Sequence, residues 1–166
     1  MSARDQAEVN YTLVLVKCDN CGHFFSGFPT DPDLRYVANE YSYESANSAV
    51  SIAHFAELAA ACVEASGVSV ENLEILDVGS NDGTLLSEFR DLGASNVVGV
   101  DPSPNMGAIA ASKGISNLVS FFESEVADDL RKINRGQAFD VVVSANVVNH
   151  ADDPHGFVKA VDKVIA

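Results

Sequence analysis

The apolar positions change their spacing along the chain. Residues 73–78 read as a short, nearly continuous apolar strand, and residues 84–92 then place Leu85, Leu86, Phe89 and Leu92 on one helical face. The two patterns alternate from there on. Strands are expected at 96–100, 118–122 and 139–143, and helices at 105–113, 125–133 and 154–165. Gly93 and Gly114 stop the first two of these helical runs, and Asp153 with Pro154 opens the last. Short Val/Ile/Leu strands separated by helices predict a parallel sheet covered on both faces. Right-handed crossovers make that sheet doubly wound.

The pattern is weaker before residue 70. Residues 11–16 read as a strand and 24–28 as its return in a hairpin, around a turn at 17–23 that contains Cys18 and Cys21. Pro29 to Pro32 interrupts the pattern, and a polar, aromatic stretch follows over 36–47. A helix is expected over 48–65, where Ala49, Ile52, Ala53, Ala56, Ala59, Ala60 and Val63 recur before Gly67. The chain therefore divides into an N-terminal segment, 1–47, and an α/β core, 48–166.

Composition narrows the functional classes. A chain of 166 residues can bury about 70% of its extended surface, enough for its own core. The net charge of −14 repels phosphate backbones and anionic headgroups, so neither nucleic acid nor a membrane surface is an expected partner. The N-terminus lacks the apolar stretch of a leader, and no uninterrupted apolar run approaches spanning length. Three cysteines suit a reducing cytoplasm better than a secreted disulfide scaffold.

The chemistry concentrates after the first core strand, in Asp77-Val78-Gly79-Ser80-Asn81-Asp82-Gly83. Ligands of doubly wound sheets bind beyond the carboxyl ends of the strands, and this turn stands there. Gly79 allows a sharp bend and Gly83 a close helix approach. Asp101, at the end of the next strand, is placed to accept hydrogen bonds from ribose hydroxyls. A dinucleotide fingerprint requires glycine at 81 and glycine or alanine at 84, where this chain has Asn81 and Thr84. Asp77 and Asp82 would also repel a pyrophosphate, which disfavours a nicotinamide-dependent oxidoreductase. The loop favours a nucleoside carrying positive charge.

These residues resemble class I S-adenosylmethionine-dependent methyltransferases. The segment from Val78 to Leu86, Asp101-Pro102-Ser103, Lys113-Gly114-Ile115, Phe121-Phe122 and Ala145 to His150 is similar to sugar C-methyltransferases acting on nucleotide-linked deoxysugars. Cys18-x-x-Cys21, Tyr41-Ser42-Tyr43 and His54-Phe55 extend the resemblance upstream. It implies a Rossmann-like fold with S-adenosylmethionine as cofactor. Asp77, Gly79, Ser80, Asn81 and Gly83 would hold the methionine end, Asp101 and Pro102 the ribose side, Phe122 the adenine, and Asn146 the pocket floor. Tyr41 and Tyr43 fall in the region of the family's catalytic tyrosine, and the substrate implied is a nucleotide-linked keto sugar.

Two features depart from the family. Its Glu-His pair beyond the fifth strand has no counterpart before Ala166, and the fourth strand is left with an apolar edge. The expectation is a fragment of a longer enzyme, or a homodimer covering that edge. The alternative is a non-catalytic nucleoside-binding or interaction domain. Zinc is the other departure: the family's module has two Cys-x-x-Cys pairs, and this chain has one, Cys18 and Cys21, which read as a hairpin turn with free thiols more readily than as a metal site.

Overall fold

A computed structural model of the chain describes residues 10–38 and 40–166. The charged N-terminal stretch read above lies mostly outside the described residues. The chain divides into two compact units, Met1–Asn39 and Glu40–Ala166.

The first unit holds a two-stranded antiparallel hairpin of β1 (Leu15–Lys17) and β2 (Phe24–Ser26), with Val16 opposite Phe25. Both strands are shorter than the sequence pattern predicts. A short helix, α1 (Pro32–Tyr36), was missed by that pattern. Its start is encoded locally: the Asp31 side chain accepts from the Asp33 N–H at 2.9 Å, and Pro32 occupies the first helical position.

The second unit carries a four-stranded parallel sheet in the order β5-β4-β3-β6. Its elements are α2 (Ala49–Ser66), β3 (Glu74–Val78), α3 (Thr84–Asp91), β4 (Asn96–Asp101), α4 (Pro104–Ser112), β5 (Ser116–Val119), α5 (Ala127–Ile133), β6 (Val141–Val143) and α6 (Pro154–Val164). The doubly wound, Rossmann-like expectation holds, with β3 in the middle of the strand order. Successive residues of β3 and β4 feed opposite faces, as strand periodicity demands. Ile75 and Val97 join Leu85, Phe89 and Ala110 in one core, and Leu76 and Val98 join Leu130, Phe139, Phe157 and Val164 in the other.

Two strands of this parallel sheet depart from the sequence reading by more than a single terminal residue. β5 lies two residues earlier than expected, because Ser116 and Asn117 pair with Val98 and Gly99 of β4 despite their polarity. β6 begins at Val141 rather than Phe139. Phe139 instead makes a parallel bridge to Ile165, with its N–H on the Val164 carbonyl at 2.9 Å, while Asp140 donates to Glu74 of β3. The α2 helix, 18 residues with a mean hydropathy of 1.3, is long and apolar enough to cross a membrane by length and composition. Alanines raise that average although His54, Glu57 and Glu64 interrupt any continuous run, so a count of uninterrupted residues overlooks it.

Candidate functional site

The loop from β3 into α3 is wound tightly. Three of its five residues are left-handed, Gly79 at φ 75°, Asn81 at 51° and Gly83 at 77°. Gly79 and Ser80 both donate their N–H groups to the Val100 carbonyl, at 2.8 and 3.2 Å, which ties the loop to the end of β4. Gly83 returns its N–H to the Ser80 carbonyl at 2.9 Å. A Cβ on Gly79 would collide with the Val147 side chain, so glycine here lets the segment after β6 close against the loop. A Cβ on Gly83 would meet Ala110 at 3.3 Å and Ile115 at 3.2 Å, so this glycine sets how closely α3 approaches α4. The Ser80 hydroxyl donates to Asn117 Oδ1 on β5 at 2.9 Å.

Three carboxylates lie buried around this loop, and they do different work. Asp101 Oδ2 accepts the Asn81 N–H at 2.9 Å and its Oδ1 accepts the Ser103 N–H at 2.8 Å. The Ser103 side chain hydrogen-bonds this carboxyl as well. Burial raises the Asp101 carboxyl above its ordinary range, and the hydrogen bonds from the Ser103 and Asn81 backbones and the Ser103 side chain oppose the rise. Asp77, the penultimate residue of β3, is pushed up to about 7, chiefly by burial and then by the charge of Asp101. Burial and the charge of Asp77 together raise the Cys62 thiol on α2.

Asp82 is different, and its expected part in repelling a pyrophosphate is reduced by the partners it has in the fold. Its Oδ1 accepts the Thr84 N–H at 3.1 Å and the Thr84 hydroxyl at 2.7 Å, just ahead of α3. Its Oδ2 lies 3.2 Å from Lys113 Nζ and accepts the Ala46 N–H at 3.3 Å. Asp82 is thus neutralised within the fold. Among the described residues neither Asp77 nor Asp101 has an ion-pair partner, so the uncompensated negative charge falls to these two.

Residues 40–47 run beside the loop and end in a short 3-10 turn, Ser45–Asn47. Asn105, in the first turn of α4, donates its amide to the Tyr41 carbonyl at 2.9 Å and accepts the Tyr41 N–H at 3.2 Å. Asn81 donates to the Tyr43 carbonyl at 3.0 Å and accepts the Ser45 N–H at 2.9 Å. Tyr41 is half-buried and Tyr43 exposed. The structure thus brings the tyrosine stretch to the glycine loop, through Asn105 and through a side-chain role of Asn81 that the pattern of the sequence does not announce.

The other expected residues are dispersed. Pro102 is half-buried between Asp101 and the start of α4. Phe122 packs edge-on against Phe157, ring centroids 5.1 Å apart, on the margin of the second core. Asn146, just past β6, is left-handed at φ 60°. In the first unit, Cys18 is partly buried and Cys21 exposed, both as free thiols. Among the described residues no group of three or more His, Cys, Asp or Glu could hold a metal, so the donor set does not fit a tetrahedral zinc site.

Residues 76–166, more than half of the chain, match the family model described as a methyltransferase domain. The chain belongs to this methyltransferase family. Over 159 residues, 96% of its length, it is 28% identical to the C-methyltransferase NovU of Streptomyces niveus, covering 36% of that protein. Over 106 residues it is 32% identical to a mitochondrial ubiquinone biosynthesis O-methyltransferase of Dictyostelium discoideum, covering 58% of this chain and 33% of that one. The methyltransferase chain thus spans about a third of the length of these curated relatives. Its fold is that of the magnesium protoporphyrin IX methyltransferase from Synechocystis PCC 6803 crystallised with bound SAM (TM-score 0.54, 17% identity, 76% of this chain and 63% of that one). It is also that of the glycopeptide N-methyltransferase MtfA complexed with sinefungin (TM-score 0.53, 18% identity, 67% and 49% covered).

Proposed function

We propose that this chain binds S-adenosylmethionine and serves methyl transfer to a carbon of a nucleotide-linked keto-deoxysugar. The observation that carries the cofactor is the pair of buried, unpaired carboxylates, Asp77 and Asp101, at the carboxyl ends of adjacent strands. Such a pair attracts a ligand with positive charge and hydroxyls and disfavours a diphosphate. The cofactor, when bound, supplies an electrophilic methyl group on a sulfonium.

In this reading Asp77 accepts the ammonium of the methionine part and Asp101 the ribose hydroxyls. The backbone of Gly79, Ser80, Asn81 and Gly83 lines the methionine end, Pro102 the ribose side, Phe122 the adenine, and Asn146 the pocket floor. Tyr41 or Tyr43 handles the proton of the carbon next to the ketone, which must leave before that carbon can attack. The carbon-directed reading is favoured by coverage, because the likeness to the C-methyltransferase extends over nearly the whole chain. The O-methyltransferase of Dictyostelium matches little more than half. We assign the first unit, residues 1–39, as a module separate from the cofactor core; residues 40–47, grouped with it by the sequence pattern, belong with the core. Free Cys18, Cys21 and Cys62 support a reducing, cytoplasmic setting.

Calorimetric titration with S-adenosylmethionine, S-adenosylhomocysteine and NAD tests the cofactor. Binding of the two adenosyl compounds is expected, and tight binding of NAD alone would overturn the reading. Mass spectrometry of a nucleotide-linked keto-deoxysugar incubated with the full-length enzyme tests the substrate. A methyl gain on oxygen, or none, would refute carbon transfer.

A further inference from the structure

The backbone of residues 41–45 is held by side chains rather than by a strand. A loop lying against the protein must satisfy its N–H and C=O groups somewhere. Here two primary amides take them in matched pairs. Asn105 serves both backbone groups of Tyr41, donating at 2.9 Å and accepting at 3.2 Å. Asn81 bridges the Tyr43 carbonyl and the Ser45 N–H, at 3.0 and 2.9 Å. A carboxamide carries the same donor and acceptor as a peptide group, so each asparagine stands in for one rung of a β-ladder.

Asn81 is the more informative of the two. It is left-handed, a conformation for which glycine is the unstrained residue. It is also 7% exposed, with both amide atoms committed to the tyrosine stretch. Its own N–H donates to Asp101 Oδ2 at 2.9 Å. One residue therefore grips the nucleoside-side carboxylate with its backbone and the tyrosine stretch with its side chain. Next to it, Ala46 N–H reaches Asp82 Oδ2 at 3.3 Å, and Lys113 fixes that carboxylate from 3.2 Å.

We infer that Asn81 and Asn105 are positioning residues that dock residues 41–45 on the glycine loop, and that Asn81 couples this docking to occupancy of the Asp101 site. The staple itself is independent of the chemistry proposed above; the coupling rests on that reading. A ligand that orders Asp101 and the loop lowers the freedom of Asn81 and, through its amide, of the tyrosine stretch. The tyrosines are then set over the site as the cofactor arrives, and not by a separate event.

Hydrogen exchange at the Tyr41 and Ser45 amides, with and without S-adenosylhomocysteine, tests this without any turnover. Asn81→Gly suits the purpose, since glycine tolerates φ 51° and deletes only the side chain. It is expected to speed exchange at Ser45 about tenfold in the free protein, the loss of a bridging pair of hydrogen bonds. Asn105→Ala is expected to do the same at Tyr41. In the unaltered chain the ligand should slow exchange at Ser45, and in Asn81→Gly it should not. In the full-length enzyme Asn81→Gly should lower kcat about tenfold while KM for S-adenosylmethionine stays within about threefold. Unchanged exchange at Ser45 in Asn81→Gly would overturn the staple whatever the enzyme does. Ligand binding that slows Ser45 equally in both proteins, or an unchanged kcat, would overturn the coupling and leave the proposed function standing. Failure of the unaltered chain to bind S-adenosylhomocysteine would remove both the cofactor reading and the coupling.

Discussion

The proposed contact between Asp77 and the cofactor's ammonium makes affinity depend on pH in a calculable way. Its carboxyl titrates near 7 in the empty protein because burial disfavours its charge and Asp101 repels it. An ammonium needs the ionised form, so binding should follow the fraction of Asp77 that has lost its proton. For a group at about 7 that fraction grows about twentyfold between roughly pH 5.5 and roughly pH 7.5. Calorimetric Kd values for S-adenosylhomocysteine across that range are expected to fall by about this factor, with net proton release on binding near pH 6.5. Methylthioadenosine shares the nucleoside but lacks the amino acid, and its affinity should stay flat. Asp77→Asn should flatten the S-adenosylhomocysteine profile as well. An equal slope for methylthioadenosine, or a slope that survives in Asp77→Asn, would refute the assignment of that ammonium to Asp77.

The same group acts on folding, with the opposite sign. The unfolded chain ionises Asp77 near 3.8 and the folded chain near 7, so the native state holds its proton longer and loses stability as pH rises between these values. At roughly 1.36 kcal/mol per pH unit the full cost approaches about 4 kcal/mol. Asp77→Asn should therefore stabilise the ligand-free protein in denaturant titrations at about pH 8, by up to that amount, and change little at about pH 4. A gain confined to acid pH would contradict the burial argument.

Three other substitutions probe the site. Asp101→Ala should weaken S-adenosylhomocysteine by about 1.5–3 kcal/mol, the worth of charge-assisted hydrogen bonds, and an unchanged Kd would refute its role. Lys113→Met strands the buried Asp82 carboxylate and should cost about 1–3 kcal/mol in chemical denaturation; the double variant with Asp82→Asn should recover part of it, and strictly additive losses would show that the pair is not coupled. Gly79→Ala meets both Val147 and a φ of 75° and should cost about 2–4 kcal/mol, of which Val147→Ala returns only the steric share; full recovery in the double variant would mean the backbone angle carries no cost.

Local signals decided how much of this could be read from the sequence. The β3–α3 unit was legible because its apolar run, its glycines and Asp77 all lie within a dozen residues and answer to strand, turn and helix chemistry. The α2 start was legible as well, since Ser48 accepts the Ser51 N–H at 3.1 Å as a helix cap does. β5 was displaced because Phe121 and Phe122 look more strand-like than Ser116 and Asn117. Pairing with β4 decides the matter, and Phe122 spends its ring on Phe157 instead. Asp82 misled for a related reason. A carboxylate's effect on a ligand depends on what else it touches, and its partner Lys113 lies 31 positions away in the chain.

The tyrosine stretch shows where such reading ends and also what it can still contribute. Nothing local to residues 41–47 states that they belong beside the glycine loop, because their partners Asn81 and Asn105 are 36 and 64 residues distant. One local anomaly did carry the information in coded form. Asn81 occupies a turn position where a residue with a Cβ is strained and glycine is not. Asparagine tolerates that angle better than most residues with a Cβ, and in this fold both of its amide atoms find partners on the tyrosine stretch. The departure that argued against a dinucleotide fingerprint is therefore the residue that joins the glycine loop to the tyrosine stretch.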